Sequence, residues 1–153
     1  MQDLAVQQLL DQAAIHDLLL RYARGVDTKN LELVASCFSR DAGYEGTLGR
    51  GTIGEALKSL KSAFERYHNT MHLIGNLCVD FDDGEHARCE TYAIAYHRLK
   101  AGDGGQQYVT AIRYLDQLAR HDGRWTIIHR TVRREWERHE EIVPLRAPET
   151  AHA

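Results

Sequence analysis

Histidine is the side chain that gives and takes a proton near neutral pH, and His72 and His97 fall on candidate strand positions from which an imidazole could face an interior. Asp27 lies in the turn expected between the first two helices, where it would be held in place and where an aspartate also reads as a simple cap. Arg130 and Arg134 share one side of the last long strand. A guanidinium is tolerated there only if it is paired or reaches water, so that side should turn toward a partly enclosed space or a neighbouring subunit. Cys37, Cys78 and Cys89 show no CxxC spacing and fit reduced, largely buried thiols. The chain has no GxxxxGK[ST] or HExxH and no facial-triad spacing, so neither a cofactor nor a metal is expected.

The elements that must position these groups divide into helices first and strands afterwards. From Leu4 to about Arg24, Leu10, Ala14, Leu18 and Tyr22, flanked by Leu9, Ala13, Ile15 and Leu19, recur at the spacing of an amphipathic helix, which should end near Gly25. Asp27 to Asn30 would then cap a short second helix through Leu31, Leu33, Val34 and Phe38. The stretch DAGYEG reads as a short strand, and Thr52 with Glu55 forms a capping box for a third helix to about Phe64.

Thr70 to Phe81 and His86 to Leu99 alternate as strands joined at Asp83-Gly84, and Gln106 to Trp136 is a long hairpin turning at Asp122-Gly123. In its second strand Trp125, Ile127, His129 and Thr131 fall on one side, and Ile128, Arg130 and Val132 on the other. Ala87, Cys89, Thr91, Ala93 and Ala95 alternate along one strand face, with His97 continuing it. Such small residues allow either close helix packing or a hollow. Residues 1–138 should form one domain, followed by a polar tail over 139–153 that carries both prolines.

The chain of 153 residues suits a single hydrophobic core, and 19 basic against 22 acidic residues supply no broad basic surface for nucleic acid or an anionic membrane. The opening segment lacks the pattern of a signal peptide, and no apolar run reaches the length of a membrane span, so the cytoplasm is the expected location. Tyr92, Ile94, Tyr96, Ile112 and Tyr114 cannot all meet three helices, which suggests a homo-oligomer joined through its sheet, a dimer first and a trimer second.

The segments LLLRYARGVDTKNLELVASCFSRDAGYEG, NTMHLIGN, ETYAIAYHR and IRYLDQLARHDGRWTIIHR resemble the SnoaL-like family of the nuclear transport factor 2-like superfamily, nearly to Trp136. The resemblance implies an α+β, cone-shaped fold in which three N-terminal helices pack on a strongly curved mixed or antiparallel sheet that encloses a pocket. It also implies a cofactor-independent lyase or isomerase acting on a small hydrophobic molecule, cyclic or polyketide-like, with dehydration as the leading reaction. A polyketide cyclase or hydrolase, or a non-catalytic small-molecule-binding protein, are the alternatives.

By the same resemblance Asp27 and His72 match a catalytic carboxylate–imidazole pair. Chemistry agrees, since a neutral imidazole can abstract a proton while an adjacent carboxylate fixes its tautomer and stabilises the imidazolium. Tyr22 matches a position that holds or protonates a substrate oxygen, and Arg130 a pocket arginine for a leaving anion or enolate. Tyr44 matches a lining position. Asn76 and Cys78 continue the His72 strand face and could contact ligand, while Ala95 stands where some relatives place an acid and His97 could supply a second polar group near the mouth.

Overall fold

In the computed structural model, which describes residues 2–100 and 106–141, three helices are followed by the long strands of one sheet. Helix α1 (Gln2–Asp27) leads through Lys29, which takes the left-handed conformation, into α2 (Leu31–Ala35), whose N-cap Asn30 accepts a hydrogen bond from the Leu33 amide. Strands β1 (Phe38–Gly46) and β2 (Gly49–Thr52) precede α3 (Ile53–Arg66), and the expected Thr52/Glu55 capping box is in place. Strands β3 (Tyr67–Phe81), β4 (His86–Leu99), β5 (Gln106–His121) and β6 (Arg124–Glu141) then form an antiparallel meander. Asp122 and Gly123, both at positive φ, make the β5–β6 turn.

Gly25 does not end α1. It lies inside the helix because α2 crosses there: a Cβ on Gly25 would sit 2.8 Å from Val34 Cγ2. The apolar stripe of α1 is buried from Ile15 through Leu18, Leu19, Tyr22 and Val26, whereas Leu9 and Leu10 are exposed. At the N-terminal half the inward group is Asp11, which accepts from Arg120 Nη1 at 2.6 Å and Trp125 Nε1 at 3.1 Å.

The sheet corrects one expectation. Its six strands run β2-β1-β6-β5-β4-β3, so β2 and β3 are separate edges; the sheet is mixed, through the parallel β1–β6 pair, but open and neither strongly curved nor cone-shaped. A sheet closes only when its edge strands meet. Here the enclosure comes instead from helices α1 and α3 and the β1–β2 connection standing over one face. Strand β6 runs on to Glu141, and the rest of the expected polar tail lies outside the described residues.

Bulges set which side chains point inward. On β6, Gln117 faces His129 and Leu118 faces Ile127, so Ile128 is the extra residue and the alternation changes phase. Trp125, Ile127 and Arg130 are consequently buried together, while His129 and Thr131 go to the opposite face, where they border a groove with Cys78. The side assignment expected for His129 and Thr131 is therefore reversed relative to Trp125 and Ile127.

The same bulge takes Arg130 into the core. Its guanidinium is fully buried and bidentate on Asp116, with Nε to Oδ1 and Nη2 to Oδ2 both 2.7 Å, and it lies 4.2 Å from each ring centroid of Tyr22 and Tyr114. Removing one member of a buried pair leaves a desolvated charge without its counter-charge. Asp116→Ala should therefore lose about 3–5 kcal/mol of stability in urea unfolding, and the apolar double substitution Asp116→Leu/Arg130→Met should recover much of that loss.

Candidate functional site

The helix–sheet layer leaves a cavity of about 150 Å³, lined from α1, the β1–β2 region, α3 and strands β3 to β6. A dry cavity of this size is of the order that admits a single six-membered ring. Its wall is largely aromatic, with Tyr22, Tyr44, Phe64, Tyr67, Tyr108 and Tyr114, and it includes Thr70, His72 and His97.

Asp27 is the last residue of α1, an end of a helix whose dipole disfavours a carboxylate. Three donors from β3 offset that. His72 Nδ1 lies 2.6 Å from Oδ1, Thr70 Oγ1 donates to Oδ1 at 2.8 Å, and the His72 amide donates to Oδ2 at 2.9 Å. Burial alone would raise the Asp27 pKa, but the side-chain and backbone hydrogen bonds from His72, the imidazole charge and Thr70 hold it below the usual 3.8. Ionised Asp27 accepts from Nδ1–H of His72, which makes Nε2 the basic nitrogen of the ring. The His72 side chain is only 6% exposed, yet the residue lines the cavity.

The strand register extends this site across the sheet. His72 stands opposite Ala95, whose methyl leaves room beside the ring, and Thr70 stands opposite His97, which in turn faces Tyr108. His97 stacks on Tyr108 with centroids 4.4 Å apart, and its ring centroid lies 5.8 Å from that of His72. The hydroxyls of Tyr67 and Tyr108 hydrogen-bond to each other. Burial, reinforced by His72, pushes His97 down to about 4, and its Nδ1 is buried without a hydrogen-bond partner among the described residues.

Of the residues expected at the site, Asp27, His72, Tyr22, Tyr44 and His97 are brought together at or directly behind the cavity wall. Arg130 lies beneath Tyr22 and Tyr114 and is not among the lining residues, nor is the fully buried Ala95. Asn76 and Cys78 do not continue the His72 face. Gly75 and Asn76 together oppose Tyr92 in a bulge between the pairs Ile74–Ala93 and Leu77–Thr91, so the phase shifts and both side chains border grooves away from the cavity. Thr70, Tyr67, Tyr108 and Arg66 were not singled out in the sequence. The signal for Thr70 was its place two residues before His72 on the same strand face, whereas Arg66 looks like any basic residue closing a helix.

Residues 7–131 match the SnoaL-like domain. The chain belongs to that family. Within the nuclear transport factor 2-like superfamily, this SnoaL-like chain is similar in structure to a candidate scytalone dehydratase from Novosphingobium aromaticivorans, with 21% identity over 99% of this chain and 100% of the other and a TM-score of 0.81. It is similar also to a type 3 hexachlorocyclohexane dehydrochlorinase from Novosphingobium barchaimii, with 23% identity over 92% and 99% and a TM-score of 0.78. A type 2 form of that enzyme gives 22% identity over 95% and 99% and a TM-score of 0.80. At these identities the similarity establishes the SnoaL-like fold. No curated protein sequence matches the chain. Among the described residues no cluster of His, Cys, Asp and Glu is arranged to hold a metal ion, and no helix is long and apolar enough to cross a membrane.

The two polar groups of the site respond to acid in separate windows. His97 has a folded pKa near 4 against an ordinary 6.5, so the unfolded chain binds its proton first and stability should fall as pH drops from about 6.5 to 4. The full effect is about 3 kcal/mol. The Asp27 contribution is present above 3.8 and is lost only below that value, as pH falls through its depressed folded pKa. Chemical denaturation across pH 7 to 4 should show a steep decline in the parent and a flatter one in His97→Phe, which keeps a ring but cannot titrate.

Proposed function

We propose that this SnoaL-like protein is a cofactor-independent lyase or isomerase, with dehydration of a small hydrophobic molecule as its leading reaction. The observation that carries the reading is the Asp27–His72 arrangement, in which a carboxylate held by three donors takes the Nδ1 side of an imidazole at a cavity wall. In the dehydration, His72 Nε2 takes a proton from the carbon next to a carbonyl. The C–H electron pair becomes the new double bond as the neighbouring C–O bond breaks, and the departing hydroxide takes the abstracted proton back from the His72 imidazolium to leave as water. Asp27 stabilises the imidazolium formed meanwhile. Tyr22, on the cavity wall, would donate a hydrogen bond to the departing oxygen; burial raises its pKa, which keeps it protonated for that task. Arg130, paired with Asp116 and stacked on the Tyr22 ring, acts through Tyr22 in this scheme. Isomerisation would use the same base and return the proton to another carbon.

A binding role without chemistry is favoured by one feature of the same network: the three hydrogen bonds to Asp27 also tie the end of α1 to β3, a purely structural service. The apolar outer face of the sheet, with Met71, Leu73, Tyr92 and Trp136 exposed, supports self-association as a homodimer, with a trimer as runner-up. Light scattering should give a mass above that of the monomer at micromolar concentration, and a monomer at all concentrations would remove that expectation.

Catalysis and binding separate in a turnover assay. With cyclic β-hydroxy ketones as candidate substrates, conjugated product forms and is followed by its ultraviolet absorbance. His72→Ala and Asp27→Asn should each lower kcat by about 10² or more, and the double variant should be little worse than either single one because the two act as a unit. Equal turnover in parent and His72→Ala would defeat the proposal, and a ligand that co-purifies unchanged and binds Asp27→Asn as well as the parent would favour the binding role.

A further inference from the structure

The cavity wall has a one-sided charge. Asp27 lies behind His72, and among the described residues no carboxylate lines the cavity, yet two guanidinium groups do: Arg66 at the end of α3 and Arg134 on β6. Arg66 has no ion pair among the described residues, and its guanidinium carbon lies 5.7 Å from the centre of the Tyr67 ring. Arg134 Nη1 donates to Glu137 Oε2 at 2.7 Å, but Glu137 is shared with His139 at 3.5 Å, and among the described residues no second carboxylate pairs with Arg134. Both cations bear on one phenol: burial and the hydrogen bond with Tyr67 raise the Tyr108 pKa, while Arg66 and Arg134 pull it down. A basic residue that merely complements the α3 dipole would need no place on the cavity wall.

We propose that Arg66 and Arg134 form a carboxylate-binding subsite at the cavity, so that the ligand is a small anionic molecule, a single ring or short chain bearing a carboxylate, with its apolar part among the tyrosines. This deepens the function proposed above, on which it rests only for the premise that the cavity holds a ligand. The volume limits the ring, and the charge selects the substituent. A guanidinium recognises a carboxylate with parallel N–H donors, and because both arginines reach solvent the attraction is one that salt screens. In a chain of net charge −3, a cation-lined cavity is a local feature rather than a consequence of overall charge.

Benzoate and benzamide have nearly the same shape and differ in charge, which makes them the probes. In ligand-observed NMR titrations of the full chain at low salt, benzoate should bind at least about tenfold more tightly than benzamide, and added sodium chloride should weaken benzoate alone. Arg66→Gln/Arg134→Gln should abolish the preference while leaving benzamide binding unchanged, and Arg66→Lys/Arg134→Lys should restore most of it. Both sites are at the surface end of the cavity, so the fold should survive, as circular dichroism would verify. Equal binding of the two probes, binding of neither, or a preference that persists in the Gln pair would overturn the proposal. His72→Ala should keep the preference, so failure of the catalytic reading and failure of the carboxylate subsite give different results.

Discussion

The carboxylate of Asp27 is the point where the helical layer and the sheet are made to agree. It closes α1 at an end where the helix dipole repels negative charge, and it is retained by donors that all come from Thr70 and His72 on β3. One of them is a main-chain amide, so the strand backbone as well as the imidazole is fixed relative to the helix. The second clamp lies within the N-terminal half of α1, where Asp11 accepts from Arg120 on β5 and Trp125 on β6. Between these two clamps the buried stripe from Ile15 to Val26 packs on the sheet, and the cavity lies where α1 and α3 together stand over the strands.

Much of the local structure was legible because it is written in short-range chemistry. The Thr52/Glu55 capping box, the Asn30 cap and the Asp122-Gly123 turn each depend on residues within one turn of each other, and all three lie where the sequence placed them. The strand face from Ala87 to His97 was legible for a similar reason, because β4 carries no bulge relative to β5 and its period of two is unbroken. The end of α1 was misread because Gly25 suggested a helix stop, when its lack of a side chain serves the close approach of Val34. That contact joins two helices and has no local signature.

Bulges account for the larger misreadings. A single extra residue at Ile128 and another at Gly75-Asn76 invert the side-chain alternation beyond them, and nothing in the composition of those stretches marks the inversion. On β3 the shift separates Asn76 and Cys78 from the face of His72. On β6 it draws Arg130 into the core, onto Asp116 and between two tyrosine rings. The strong curvature expected of the sheet is not there, and in its place an open strand order leaves helices as the enclosing wall.

Two charged pairs thus flank the same tyrosine-lined space and are withdrawn from it by different means. Asp27 is screened by the imidazole it supports, and Arg130 is screened by the rings of Tyr22 and Tyr114, with its charge balanced by Asp116. A ligand in the cavity therefore meets imidazole and phenol groups first, while the guanidinium groups on its wall belong to Arg66 and Arg134. On the reading proposed above, this order matters for proton transfer. A carboxylate on the wall would repel the carbanion character that develops as a C–H bond breaks, whereas a carboxylate behind the base stabilises only the imidazolium. The negative charge is placed where it helps the base and cannot oppose the substrate.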